Sequence, residues 1–170
     1  MSETVGEDSG PRIERSQSRL WRYGPLIVWM SAIFLASTDG LSGSHTAAVI
    51  EPLLRWLFPH ISSHRIDLIH LLVRKGAHFS EYAILALLAR RAFITSSYFS
   101  LRRLWFAASL CLIVLYALSD EYHQSFVPTR TASIYDSMID ISGGLTVLLL
   151  LVLWKTAGRR TVTRARNSLR

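Results

Sequence analysis

Apolar residues are grouped in four long runs along the chain, separated by short polar segments. A helix that crosses a membrane needs about 20 mostly apolar residues. The four runs therefore predict an all-α fold, an integral membrane four-helix bundle. Its spans are expected at about 23–38, 69–91, 104–120 and 134–154.

The second run differs from the others because its purely apolar part, residues 83–89, is too short to cross a membrane. A span here must also include the sequence VRKGAHFSEY. At the helical step of about 100° per residue, its ionisable side chains fall within an arc of roughly 120°. With a rise of about 1.5 Å per residue, Glu81 lies on the order of 13 Å from Arg90, so Glu81 and His78 lie near mid-depth.

Charged groups at that depth cost roughly 2.5 kcal/mol or more each, so this face needs partners or water. Acidic residues at the end of the third run and the start of the fourth are the candidates. Asp136 and Asp140 are four apart and share one helix face, which Gly143 continues. A glycine at that position permits close approach of two helices. We predict that the polar groups of these three runs form one buried cluster.

The predicted binding residues combine basic, acidic and hydrogen-bonding side chains. They are Arg74, Lys75, His78, Glu81, Tyr82, Asp120, Glu121, Gln124, Arg130, Asp136 and Asp140. The catalytic candidates among them are His78, Glu81, Asp120 and Asp140. An alternative without chemistry is that these groups form buried ion pairs that fix the helix register.

The ligand chemistry of the cluster has two interpretations. Carboxylates with a histidine could hold a divalent cation, whereas the arginine and lysine side chains favour a phosphate group. The spacing of His78 and Glu81 does not match a helical zinc site, so no metal ligand is assigned. No phosphate loop, nucleophile elbow or HExxH motif is present, and the cofactor remains unknown.

Three further features concern the loops and a helix end. Residues 45–58 place apolar and charged side chains at helical spacing but are too short to cross a membrane. They predict an amphipathic helix in the first outer loop, either at the membrane surface or packed as an ordinary loop helix. Ser133 and Asp136 have the spacing of a capping box at the start of the last helix. His123 is expected to face the loop and water.

Basic residues alternate between the segments that flank the spans. The five segments hold four, two, four, one and six Lys or Arg residues in chain order. By the positive-inside rule, both termini are cytoplasmic. The membrane domain then covers residues 21–155, between a polar tail at 1–20 and a basic tail at 156–170. A cleaved signal peptide is the alternative for the first run.

The formal charge of +7 does not indicate nucleic-acid binding. The basic residues flank apolar runs and form no continuous surface with interleaved aromatic residues. The chain has a single cysteine, Cys111, which excludes an intramolecular disulfide. The partners we expect are the lipid bilayer and an amphiphilic or lipid-linked ligand at its outer leaflet, and the oligomeric state is left open.

Three polar motifs closely resemble those of the VanZ-like membrane proteins. They are Arg74-Lys75-x-x-His78-Phe79-x-Glu81-Tyr82, Asp120-Glu121-x-His123-Gln124-x-Phe126-x-Pro128-x-Arg130 and Asp136-x-x-x-Asp140-x-x-Gly143. The resemblance covers roughly residues 66–154. It implies a small multi-pass protein of the bacterial cell membrane, in a family whose namesake is linked to low-level teicoplanin resistance. One departure is Val147, which stands where a second glycine is expected, four positions after Gly143.

Three hypotheses for function follow. The first is a cell-envelope protein that binds or modulates an amphiphile or lipid head group through an outward-facing polar pocket. The second is an intramembrane enzyme acting on a lipid-linked or phospholipid substrate, with His78 as acid or base and the carboxylates as base or cation ligands. The third is a structural partner subunit without a ligand.

Overall fold

The computed structural model of the chain describes the backbone of residues 10–38, 43–127 and 133–167, and the side chains of 19–38, 50–127 and 133–157. These residues form helices and no β-strand, which confirms the all-α prediction. The helices are α1 (Gly10–Ala36), α2 (Gly43–Leu57), α3 (Ser63–Ile94), α4 (Phe99–Arg103), α5 (Trp105–Gln124) and α6 (Ile134–Asn167).

Two helices extend beyond the predicted spans. Helix α1 begins at Gly10 and α6 continues to Asn167, so helical structure enters both predicted tails. Arginine, glutamate and glutamine are good helix formers, which favours continuation of the helix beyond the apolar run. Charged residues end the apolar part of a span, but they do not end the helix itself.

Helix α3 is the central element, since it contacts α1, α2, α4, α5 and α6. Side-chain pairs fix the directions of its neighbours. Lys75 meets Asp136 and His78 meets Asp140, so α6 runs parallel to α3. Glu121 near the end of α5 binds the backbone of residue 133, so α5 runs antiparallel to α6.

Helix α1 completes the bundle, antiparallel to α3. The Tyr23 hydroxyl donates a hydrogen bond to Ser96 Oγ at 2.8 Å, and the Trp29 indole N–H donates to the Glu81 carbonyl at 2.9 Å. The Tyr116 hydroxyl of α5 donates to the Met30 carbonyl. These bonds attach α1 to α3 and α5 along its length.

The core contains small side chains that let the helices approach closely. An added Cβ on Gly143 would overlap the Phe79 carbonyl of α3, and one on Gly144 would lie 2.8 Å from the Ile113 side chain. Four alanines of α3 and α5 are also buried in the core: Ala86, Ala89, Ala92 and Ala117. The expectation that Gly143 allows close helix approach is confirmed.

The distribution of polarity is the reverse of that in a water-soluble bundle. Leu115 and Leu150 are 62% and 59% exposed, while Asp140 is completely buried. Water-soluble proteins rarely bury aspartate and rarely expose large contiguous apolar surfaces. Polar groups inside and apolar groups outside are typical of helices packed in a lipid bilayer.

Two of the described helices, Trp105–Gln124 and Ile134–Ala157, are long and apolar enough to cross a membrane by length and composition. Helix α3 has 32 residues but carries charged residues along its length, among them Arg74, Lys75 and Glu81. The fold is therefore an all-α bundle with two apolar helices of spanning length. Of the four predicted spans, the third and the fourth meet this criterion.

Candidate functional site

Ionisable side chains of α3 and α6 form pairs at successive turns. Lys75 Nζ lies 2.7 Å from Asp136 Oδ1, and an Arg74 guanidinium nitrogen lies 3.6 Å from Asp136 Oδ2. One turn further, His78 Nδ1 lies 3.2 Å from Asp140 Oδ1. The two helices are parallel, and the spacings of three and four residues keep each set on one face, so the pairs follow one another along the same interface.

These pairs lead from the surface into the interior. The Arg74 side chain is 51% exposed and that of Lys75 is 32% exposed. The side chains of Asp136 and His78 are nearly buried, and that of Asp140 is fully buried. The exposed end of the series is therefore basic, and its buried end is acidic.

Helix α5 contributes a second acidic layer. Asp120 Oδ2 accepts a hydrogen bond from Gln124 Nε2 at 2.9 Å. Glu121 Oε2 accepts one from the Ser133 backbone N–H at 2.7 Å and so joins the end of α5 to the start of α6. A hydrogen bond to a charged group is worth about 1.5–3 kcal/mol, so this contact helps to hold the two helix ends together.

Only one of the two hydrogen bonds of a capping box forms among the described residues at the start of α6. The Tyr135 backbone N–H donates to Ser133 Oγ at 3.3 Å, as an N-cap requires. The Asp136 carboxylate accepts a hydrogen bond from Lys75 Nζ at 2.7 Å. The capping-box spacing thus provides the serine cap, while the acidic residue pairs with α3.

Several buried polar atoms in this region have no hydrogen-bond partner among the described residues. They are Asp120 Oδ1, Glu121 Oε1, Asp140 Oδ2 and the Tyr82 hydroxyl. Tyr82 lies within electrostatic reach of both Asp120 and Asp140, so these atoms belong to one region. Each unsatisfied buried group costs about 1–3 kcal/mol, more if it is charged. Such a cost is typical of a place where another hydrogen-bonding group is accommodated.

The structure brings most of the predicted site residues together. Lys75, His78, Asp136 and Asp140 are paired, and Asp120, Glu121, Gln124 and Tyr82 lie buried beside them. Arg74 lies at the exposed edge. Glu81 is partly buried, and its charge acts on His78. Arg130 lies outside the described residues.

Three residues near the cluster were not predicted as part of it. Ser137 is fully buried in α6 and could have been found from its position three residues before Asp140, on the same helix face. Tyr116 reaches α1 through its hydroxyl. His123 was expected to face water, but it is partly buried, with its ring centroid 4.4 Å from that of Phe34. That expectation was wrong because the sequence did not show that α1 packs beside the end of α5.

The described part of the cluster carries an excess of carboxylates. Five acidic residues lie there with two permanently charged basic residues and one histidine: Glu81, Asp120, Glu121, Asp136, Asp140, Arg74, Lys75 and His78. Among the described residues, no group of three or more His, Cys, Asp or Glu side chains is arranged to hold a metal ion. The carboxylate oxygens that have no partner among the described residues can accept a hydrogen bond from a donor such as an ammonium or a hydroxyl group.

The pair of His78 and Asp140 also has the geometry of an oriented acid or base. A carboxylate that binds one ring nitrogen fixes the orientation of the imidazole and leaves the other nitrogen for proton transfer. Here Asp140 Oδ1 lies 3.2 Å from Nδ1, so Nε2 is the ring nitrogen that could take part in proton transfer. The arrangement is compatible with proton transfer as well as with binding.

Comparison with protein families gives one finding that agrees with these motifs. The model of the family described as VanZ/LLP1 matches residues 23–155, a range that contains every paired residue of the cluster. Comparisons with curated proteins and with solved structures give no match. Since the matched range covers well over half of the chain, the chain belongs to the VanZ/LLP1 family.

Proposed function

We propose that this protein is a four-span integral membrane protein of the bacterial cell envelope that binds the head group of an amphiphile at the outer leaflet. The observation that carries the proposal is the set of buried acceptors on Asp120, Glu121 and Asp140 that have no partner among the described residues. A bundle that served only as scaffold would be more stable with apolar residues in these positions.

The membrane placement of α1 and α3 is supported by their packing. Both contact the bundle that contains the two apolar helices, and both expose large apolar residues such as Val28 and Leu72. On α3, His78 and Tyr82 are buried and so directed inwards. By the positive-inside rule, the distribution of Lys and Arg favours cytoplasmic termini, and in that orientation the cluster opens on the outer side.

The order of charges indicates the kind of head group. Arg74 and Lys75 lie at the exposed end and would contact an anionic group such as a phosphate. The carboxylates of Asp120 and Asp140 lie deeper and would accept hydrogen bonds from an ammonium or hydroxyl group. A head group that carries both an anionic group and a hydrogen-bond donor would match the basic outer end and the acidic inner end of the site.

A second candidate function is an intramembrane enzyme on a lipid-linked or phospholipid substrate. The His78–Asp140 pair favours it, because that pair could move a proton at the head group. In this case His78 would be the acid or base and Asp140 its positioning residue.

The direct test uses lysophosphatidylethanolamine, a single-chain amphiphile with a phosphate and an ammonium. Its binding to the purified chain in detergent is measured by native mass spectrometry. We expect Asp140→Asn and Lys75→Met to weaken binding by roughly 10-fold or more, since each removes a charged hydrogen-bonding partner worth about 1.5–3 kcal/mol. The control is Glu51→Gln, in the exposed pair with Arg55 on α2.

Each result has a defined meaning. Equal affinity of wild type and both variants, with helical circular dichroism retained, would contradict the binding proposal. Conversion of the probe by wild type but not by His78→Gln would favour the enzyme instead. Teicoplanin susceptibility of a strain with and without the chain tests the physiological role linked to the family's namesake.

A further inference from the structure

A groove lies at the junction of α2 and α3, away from the polar cluster. It encloses about 730 Å³, and its walls are mostly apolar. Volumes of roughly 300–1,000 Å³ are typical of sites for small organic ligands. The residues that matter for its chemistry are Leu57, Phe58, His60, Arg65, Leu68 and Ile69.

The position of the groove across the bilayer follows from the distance along α3 between Arg65 and Arg90. Arg90 marks the cytoplasmic end of the proposed span, and Arg65 is 25 positions earlier. At about 1.5 Å per residue, the two are on the order of 38 Å apart. A bilayer has a hydrocarbon core of about 30 Å and a full thickness of about 40–45 Å with its head groups. Arg65 therefore lies at head-group level, and Leu68 and Ile69 lie at the edge of the hydrocarbon core.

The rim of the groove carries a positive charge that no described acidic residue neutralises. The Arg65 side chain is exposed and forms no ion pair with the described residues, in contrast to Arg55, which pairs with Glu51. His60 is exposed on the same rim. The floor below is apolar, with Leu68 47% exposed. The rim thus complements an anion and the floor complements a hydrocarbon chain.

Helix α2 has the features of a helix that lies at a membrane surface. Trp56 is 76% exposed, and Leu53, Leu57 and Phe58 are exposed as well. Tryptophan is enriched at membrane interfaces, where its ring meets the head groups. An amphipathic helix with such residues binds lipid through its buried apolar area.

From these observations we propose that the groove binds one anionic phospholipid, with its phosphate at Arg65 and His60 and an acyl chain along Leu68 and Ile69. The proposal rests on the membrane placement of α3 in the proposed function. It does not depend on a ligand in the polar cluster.

The experiment measures lipid binding to the full purified chain by native mass spectrometry, with phosphatidylglycerol and phosphatidylcholine as probes. We expect phosphatidylglycerol to bind more tightly, and Arg65→Gln to reduce its affinity by about 10-fold. The reduction should be smaller for phosphatidylcholine, because the choline cation neutralises the charge of its phosphate. Leu68→Trp fills the groove and should reduce the binding of both lipids. Arg55→Gln is the matched control, since it removes an arginine outside the groove, and it should leave binding unchanged.

The outcomes separate this site from the polar cluster. Arg65→Gln should leave the Asp140-dependent binding of lysophosphatidylethanolamine intact, because Arg65 lines the groove and lies outside the polar cluster. Equal affinity for the two phospholipids, or no effect of Arg65→Gln, would overturn the proposal. A dimer that dissociates with Leu68→Trp would also overturn it, because the groove would then hold a second copy of the chain.

Discussion

Lys75 of α3 and Asp136 of α6 meet with their charged atoms 2.7 Å apart, although 61 positions separate them in the sequence. Arg74 approaches the same carboxylate from the exposed side. Asp136 is nearly buried, so its charge depends on these two partners for neutralisation. The contact sets the register of α3 against α6, and the pair of His78 and Asp140 follows from that register.

The Lys75–Asp136 pair should therefore show strong coupling in a double-mutant cycle. Lys75→Met leaves a buried carboxylate with only its weaker partner, and we expect a loss of about 2 kcal/mol in the free energy of unfolding. Adding Asp136→Leu should recover most of that loss, because an apolar pair can replace a buried ion pair. Equilibrium unfolding in a denaturing detergent, followed by circular dichroism, gives the values.

The control cycle uses Glu51 and Arg55, an exposed pair on α2. Exposed pairs of this kind are worth about 0.3–0.5 kcal/mol. A coupling at Lys75 and Asp136 no larger than that of the control would show that the pair does not set the register.

Gly143 and Gly76 allow a matched test of the close contact between α3 and α6. Gly143→Ala adds a Cβ where the Phe79 carbonyl stands, and we expect a loss of about 1–3 kcal/mol from overpacking. Gly76→Ala meets nothing within 4 Å. It should stabilise α3 by up to about 1 kcal/mol through helix propensity. The free energy of unfolding is measured for both, and equal effects would mean that α6 does not approach α3 so closely.

The sequence predicted the helices well because apolar runs and helical spacing are local properties. It also predicted which face of α3 carries the ionisable groups, since that face follows from the step of 100° per residue. Local patterns do not determine which partner each group finds. The pairing of Lys75 with Asp136 and of His78 with Asp140 depends on the parallel direction and the register of two helices far apart in sequence.

The role of α1 is a further example. Nothing near Met30 or Phe34 indicates that their partners are Tyr116 and His123, because these contacts arise only when α1 packs beside α5. The spacing of Ser133 and Asp136 predicted a reciprocal cap. Asp136 pairs with the charge of Lys75, a stronger partner than a backbone N–H at a helix end.

Tyr82 distinguishes a ligand site from a purely structural cluster. Its hydroxyl is buried without a partner among the described residues, so Tyr82→Phe should leave stability unchanged or raise it by about 1 kcal/mol. The same change should weaken binding of lysophosphatidylethanolamine, measured as above. Tyr116→Phe is the control, because its hydroxyl donates to the Met30 carbonyl, and it should lose about 1 kcal/mol of stability with little effect on binding.

The two variants separate binding from folding. A Tyr82→Phe protein that loses stability and keeps full affinity for the probe would assign the hydroxyl to packing rather than to a ligand.

The side of the membrane on which the cluster opens can be determined by cysteine labelling. In a Cys111→Ser background, single cysteines are placed at Ser125, exposed after the end of α5, and at Ser100, exposed in α4. Intact spheroplasts are treated with a membrane-impermeant maleimide. We predict that the Ser125→Cys protein is labelled at once and the Ser100→Cys protein only after the membrane is permeabilised. Labelling of Ser100→Cys but not Ser125→Cys in intact spheroplasts would place the polar cluster at the cytoplasmic face and contradict a head-group site in the outer leaflet.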